Sequence, residues 1–101
     1  MFIVLYRWKI KPGRESQFIS AWSEVTAYYL ENLDSLGSRL HRGSDGLFYA
    51  YAQWKSAEDR ERAFAGADTA DAFERMTDAV AERFEPVILE KIADYLADPE
   101  K

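Results

Sequence analysis

The sequence holds no cysteine, one histidine, three prolines and five glycines among its 101 residues. Without cysteine there is no disulfide, thiolate zinc site, iron–sulfur cluster or thiol nucleophile. A lone histidine excludes any metal site built on two imidazoles. No stretch approaches the roughly twenty apolar residues of a membrane span, and the opening MFIVLYRWKI is too short and too soon charged for a signal peptide. Positive charge is also scarce. Thirteen basic against 18 acidic side chains leave a net charge of −5, a poor match for a nucleic-acid backbone or an anionic bilayer. These absences predict a cytoplasmic protein that binds neither nucleic acid nor membrane.

Aromatic residues, by contrast, are abundant: 3 Trp, 6 Tyr and 6 Phe. No repeat, linker or low-complexity tract divides the chain, so residues 1–101 read as a single domain. A chain of this size folds to a surface of roughly 5,900 Å² and buries about two thirds of what it exposes unfolded, enough for a core without covalent staples. The fifteen aromatic rings must therefore fill a core, a pocket or an interface.

Periodicity places the elements. From Phe2 to Lys11 the residues alternate: Phe2, Val4, Tyr6, Trp8 and Ile10 share one face of a strand, with Ile3, Leu5, Arg7, Lys9 and Lys11 on the other. Pro12 and Gly13 stop it. Between Arg14 and Leu33 the spacing of Phe18, Trp22, Val25, Tyr29 and Leu33 is one stripe of a helix, and Gly37 is a cap or the start of the next strand. Ser38–Arg42 and Leu47–Trp54 flank Gly43-Ser44-Asp45-Gly46, which predicts a hairpin with a four-residue loop. That loop sets His41 opposite Phe48 and Arg39 opposite Ala50, on the face of Ala52 and Trp54, and leaves Leu40 with Tyr49 and Tyr51. Ser56 and Asp59 form a capping box for a helix through Phe64, Gly66 interrupts, and a second amphipathic stretch spans 69–84. Pro86 ends it. Val87–Leu96 reads as a final strand, although Ile88, Ile92 and Leu96 also fit a helix, and 98–101 as a polar tail.

The resulting order, β-α-β-β-α-β, is α+β and ferredoxin-like, with helices on one face of a four-stranded antiparallel sheet. Ile3, Leu5, Tyr49 and Tyr51 then stand on an open face too apolar for water, which predicts a homodimer that closes two sheets into a dimeric α/β barrel. Lys11-Pro12-Gly13-Arg14-Glu15 with Phe18 and Trp22, and Tyr51-Ala52-Gln53-Trp54-Lys55-Ser56-Ala57-Glu58-Asp59 with Phe64, resemble the antibiotic-biosynthesis monooxygenase-like family of dimeric α/β barrel proteins. The resemblance implies an aromatic substrate held between sheet and helices and oxidised by oxygen without metal or flavin, so no cofactor is expected. A related branch degrades haem with an Asn on the first strand, a Trp ending the third and a His on the following helix. Trp54 matches that Trp, but Tyr6 stands at the first position and residues 56–84 contain no histidine.

Four rings with polar edges, Tyr6, Trp8, Trp22 and Trp54, converge on the sheet–helix volume as candidate substrate-binding groups; the same spacing also fits plain core packing. His41 carries the one imidazole, the side chain best suited to general-base work near neutral pH, and Arg39 lies two residues away to stabilise an enolate. The alternative for His41 is an ordinary surface histidine of an edge strand, flanked by Arg39 and Arg42, and the charged positions Arg60, Glu61 and Arg62 read as a solvated helix face. The leading expectation is a small aromatic or hydrophobic ligand oxidised by a cofactor-independent monooxygenase, with His41 or a Tyr6-bound water taking the proton. The alternative is a non-catalytic module of the same fold that binds a ligand or a partner; an isomerase or dehydratase would use the same base without oxygen.

Overall fold

A computed structural model of the chain describes residues 1–97, so the expected polar tail at 98–101 lies outside the described residues. Strand β1 (Phe2–Ile10) leads into helix α1 (Glu15–Asn32), then a hairpin of β2 (Ser38–Arg42) and β3 (Phe48–Trp54). Helices α2 (Ala57–Gly66) and α3 (Ala70–Asp78) follow, and short strands β4 (Val80–Arg83) and β5 (Val87–Leu89) complete an antiparallel sheet in the order β2-β3-β1-β4, with β5 also on β1. This is the ferredoxin-like arrangement, with its second helix and its fourth strand each in two pieces.

Both breaks have local causes. The serine hydroxyl of Ser56 caps α2 by accepting from the Asp59 backbone N–H at 3.1 Å, as the capping box predicts. The expected helix over 69–84 stops instead at Asp78. Its spacing of Val80 and Phe84 imitates a helical stripe, but the outer edge of β1 needs a partner, and tertiary pairing overrides the periodicity. Lys11 N–H donates to Ala79 at 2.8 Å, and Trp8, Lys9 and Ile10 pair with Arg83, Glu82 and Val80. Pro86, which has no N–H, interrupts the ladder; β5 then resumes on the other half of β1, pairing Ile3 with Leu89 and Leu5 with Val87. The final strand is therefore three residues long and ends at Leu89 rather than Leu96, and the four expected strands are five segments in four positions.

The hairpin register corrects a second expectation. Gly43 N–H bonds the Leu47 carbonyl at 2.7 Å, so the loop is the three residues 44–46, with Gly46 at φ +84° and the Leu47 N–H held by Asp45. A three-residue loop ending in a left-handed residue is a stable hairpin connection. One residue fewer than expected flips the whole strand. His41 pairs with Tyr49 and Arg39 with Tyr51, on the face away from the helices, while Leu40 pairs with Ala50 and packs on the core. The Tyr49 hydroxyl donates to Asp45, which holds that carboxyl below the usual range and pushes the phenol up. Gly46→Ala should cost about 1 kcal/mol in urea denaturation, the penalty for a Cβ in left-handed backbone.

The core lies under α1. Trp8 and Ile10 of β1, Phe48 and Ala50 of β3, Phe18 and Ala21 of α1, and Met76 and Ala79 around the end of α3 form one cluster. α3 is tied to α1 at its rim, where Arg14 and Gln17 both donate to Asp78 and keep its carboxyl well ionised, and Arg75 meets Glu24. Among the described residues no helix is long and apolar enough to cross a membrane.

Candidate functional site

The helix-facing side of the sheet changes character along its length. Near Trp8 and Phe48 it meets α1 in solid packing, with Trp8 and Phe18 edge-to-face at 5.0 Å and Phe18 and Phe48 at 5.6 Å. Farther along, β3 offers only Ala50 and Ala52 opposite Tyr6 and Val4. The small side chain of Ala52 leaves the floor low there while α2 and α3 arch over it. The result is a cavity of about 720 Å³. That lies inside the roughly 300–1,000 Å³ range of small-molecule sites.

All four rings singled out from the sequence, Tyr6, Trp8, Trp22 and Trp54, line this space. Tyr6 and Trp8 stack at 5.8 Å, so Trp8 serves both core and cavity wall. At the other end Trp54, Tyr29 and Phe64 form a trio with centroids 5.6–6.3 Å apart. Phe64 and Phe73, each nearly half exposed, mark the rim. Arg39 and His41 are not brought to this cavity. They border a second hollow of about 420 Å³ along the outer edge of β2, where Ile19 and Trp22 also lie, and both are exposed. The register, set by the shorter loop, removes the expected juxtaposition of His41 with the aromatic cluster.

Two polar features stand out. Trp54 is 2% exposed, yet its indole Nε1 has no hydrogen-bond partner among the described residues. A buried N–H without an acceptor costs roughly 1–3 kcal/mol. The second is Tyr6, whose hydroxyl oxygen accepts from both Nε and Nη2 of Arg60, at 3.0 and 2.9 Å. The same guanidinium lies 4.5 Å from the Phe64 ring centroid. Arg60 therefore turns inward rather than standing on a solvated face. The signal was present in the spacing: Arg60 is one turn before Phe64 and one turn after the Ser56 cap, on the inward side of α2. Tyr29, two turns beyond Trp22 on one stripe, was legible in the same way.

Burial pushes the Tyr29 phenol above its ordinary value of 10.0, opposed by a hydrogen bond with Thr69 and the Arg60 charge and aided by Tyr6. The native state thus keeps a proton that the unfolded chain releases. Stability contributed by neutral Tyr29 is full below pH 10 and is lost as pH rises through the native value. Urea midpoints followed from about pH 9 to about pH 11 should fall less steeply in Tyr29→Phe than in the parent chain.

Comparison with known proteins follows the geometry. The family model described as antibiotic biosynthesis monooxygenase matches residues 1–77. No curated protein matches the sequence. Among solved structures, the chain is similar to the N63A mutant of SnoaB, a cofactor-independent oxygenase from Streptomyces nogalater, with TM-score 0.78, 14% identity, and coverage of 93% of this chain and 95% of that one. It is also similar to Rv0793 from Mycobacterium tuberculosis, with TM-score 0.76, 9% identity and coverage of 94% and 98%. A conserved protein from Methanosarcina mazei Go1 superposes with TM-score 0.75 at 11% identity, covering 87% and 89%. At these identities the likeness concerns the fold.

Proposed function

The chain belongs to the antibiotic biosynthesis monooxygenase family, and from that premise we propose that its sheet–helix cavity binds a small aromatic molecule and oxidises it with molecular oxygen without a cofactor. The observation that carries the reading is the aromatic cavity itself, walled by Tyr6, Trp8, Trp22 and Trp54. In this reaction an activated CH₂ between aromatic rings loses a proton to water in the cavity, while the Tyr6 hydroxyl holds the substrate oxygen. The carbanion adds oxygen, and loss of water leaves a carbonyl: one oxygen atom stays in the product and the other departs in water. Tyr6, Trp8, Trp22 and Trp54 hold the substrate. His41 and Arg39 take no part, because their side chains share the sheet face of Tyr49 and Tyr51.

A second reading, a ligand-binding module without activity, is favoured by the sparse chemistry of the wall, in which Glu82 at the rim is the one carboxylate. Both readings are separated by one experiment. All three tryptophans line the cavity, so their fluorescence reports occupancy. Titration with 1-naphthol and with a hydroxylated anthrone should quench it saturably, and oxygen uptake should follow with the anthrone. Binding without uptake selects the module; absence of binding overturns both.

The dimer belongs to the same proposal. Leu5, Val87 and Leu89 share a sheet face with Tyr49 and Tyr51, whereas Ile3 on that face, expected to be open, is already covered within the chain at 3% exposed; Ile92, Tyr95 and Leu96 beyond β5 are 83%, 97% and 90% exposed. The chain's 7012 Å² of surface exceeds the roughly 5,900 Å² of a compact monomer of this mass. A second copy covering the open face accounts for both. Light scattering at micromolar concentration should give about twice the 11.7 kDa chain mass.

A further inference from the structure

We infer that Arg60 is a positioning residue that turns the Tyr6 hydroxyl into a fixed hydrogen-bond donor, so that the cavity selects ligands with a carbonyl or anionic oxygen on an aromatic or alicyclic ring. The inference rests on the cavity reading above and adds to it the polarity of the ligand. A phenol oxygen has two acceptor sites and one proton. Arg60 approaches that oxygen with two N–H groups, Nε at 3.0 Å and Nη2 at 2.9 Å. With its acceptor capacity engaged by a cation, the hydroxyl can only donate. A ligand N–H or ammonium group brought to the same oxygen would find no lone pair and would face a guanidinium. A carbonyl or oxyanion would find a donor backed by positive charge.

The guanidinium is held for this task. It lies between two rings, 4.5 Å from the Phe64 centroid and 5.7 Å from that of Tyr6, and α2 is fixed at its start by the Ser56 cap one turn earlier. Its fork geometry matters, since lysine would bring a single point charge in place of two parallel N–H groups. Tyr6 lines the cavity together with the low floor at Ala52, so a flat ligand seated there meets the Tyr6 hydroxyl as a donor and not as an acceptor.

The test compares α-tetralone, which carries a carbonyl, with tetralin, which has the same rings and no polar atom, by tryptophan fluorescence. The full chain should prefer α-tetralone about tenfold, the worth of one well-placed hydrogen bond. Arg60→Gln and Tyr6→Phe should each cut that preference to roughly twofold or less, Arg60→Gln with tetralin affinity unchanged, and the double variant should lose nothing more. Unchanged tetralin binding reports an intact cavity, which a merely structural role for Arg60 would not preserve. Equal affinity of the parent chain for the two probes overturns the oxygen preference and leaves the cavity standing. A preference retained in Arg60→Gln but lost in Tyr6→Phe overturns the role of Arg60, as does a loss of tetralin binding in Arg60→Gln. Failure of the parent chain to bind either probe overturns the cavity reading, and this inference with it.

Discussion

Phe18→Ala should lower the free energy of unfolding by about 4 kcal/mol, measured by urea denaturation. Phe18 is completely buried and touches the core from above, edge-to-face with both Trp8 and Phe48. Its removal forfeits the transfer energy of a whole ring and two aromatic contacts, and leaves a void between α1 and the sheet that rigid neighbours cannot fill. Small domains have about 5–15 kcal/mol in total, so the variant should sit near its threshold at 37 °C. Phe18→Leu, which keeps most of the volume, should recover more than half of the loss. A cost under about 1 kcal/mol for Phe18→Ala would mean that the core is not centred on this ring.

Ala52→Phe should leave stability nearly unchanged and act strongly on binding. Ala52 lies on the cavity floor, whereas Ala50, two residues earlier on the same face, belongs to the packed core. A phenyl ring at position 52 enters open space and suits a strand, so stability should change by less than about 1 kcal/mol. The same ring at position 50 has nowhere to go and should cost about 1–3 kcal/mol. Affinity for 1-naphthol should fall at least about thirtyfold in Ala52→Phe, equivalent to about 2 kcal/mol, because the substituent occupies the ligand's place. Equal destabilisation by the two substitutions would show a solid core at both positions and no usable cavity.

The contrast between these two alanines also measures what could be seen in the sequence. The alternation of Phe2 to Ile10 and the stripe from Phe18 to Tyr29 were legible because each surface buries one face along its whole length, and burial of one face is what periodicity records. The cap at Ser56 was legible because it is a local hydrogen bond. The hairpin loop was visible but its length was not. Gly43 and Gly46 both suit a turn, and only the Gly43–Leu47 bond decides that Gly43 belongs to the ladder. That single residue moved His41 and Arg39 to the other face and with them the expected general base. The end of α3 was hidden for another reason: Val80 and Phe84 satisfy a helical period, and what makes 80–83 a strand is the vacant edge of β1, seventy residues away.

The candidate site divides along the same line. Its four large rings were found because they lie on regular stripes. Arg60 was missed because its composition is that of a solvated face, and its role comes from a hydroxyl 54 positions earlier in the chain. Charged residues are read as exposed by default, which fails where a ring's polar edge supplies the partner.

The interruption at Pro86 has a bearing on how the protein behaves at high concentration. A sheet margin is a template on which a neighbouring molecule can add a strand, and long, flat, uncharged margins seed aggregates. Here that margin is cut into runs of four and three residues, β4 and β5, with Pro86 between them and Glu82, Arg83 and Glu85 along it. Neither run is long enough for another chain to zip onto, and the charges repel a flat approach. The same break that disguised the last strand in the sequence therefore guards this margin of the sheet against strand addition.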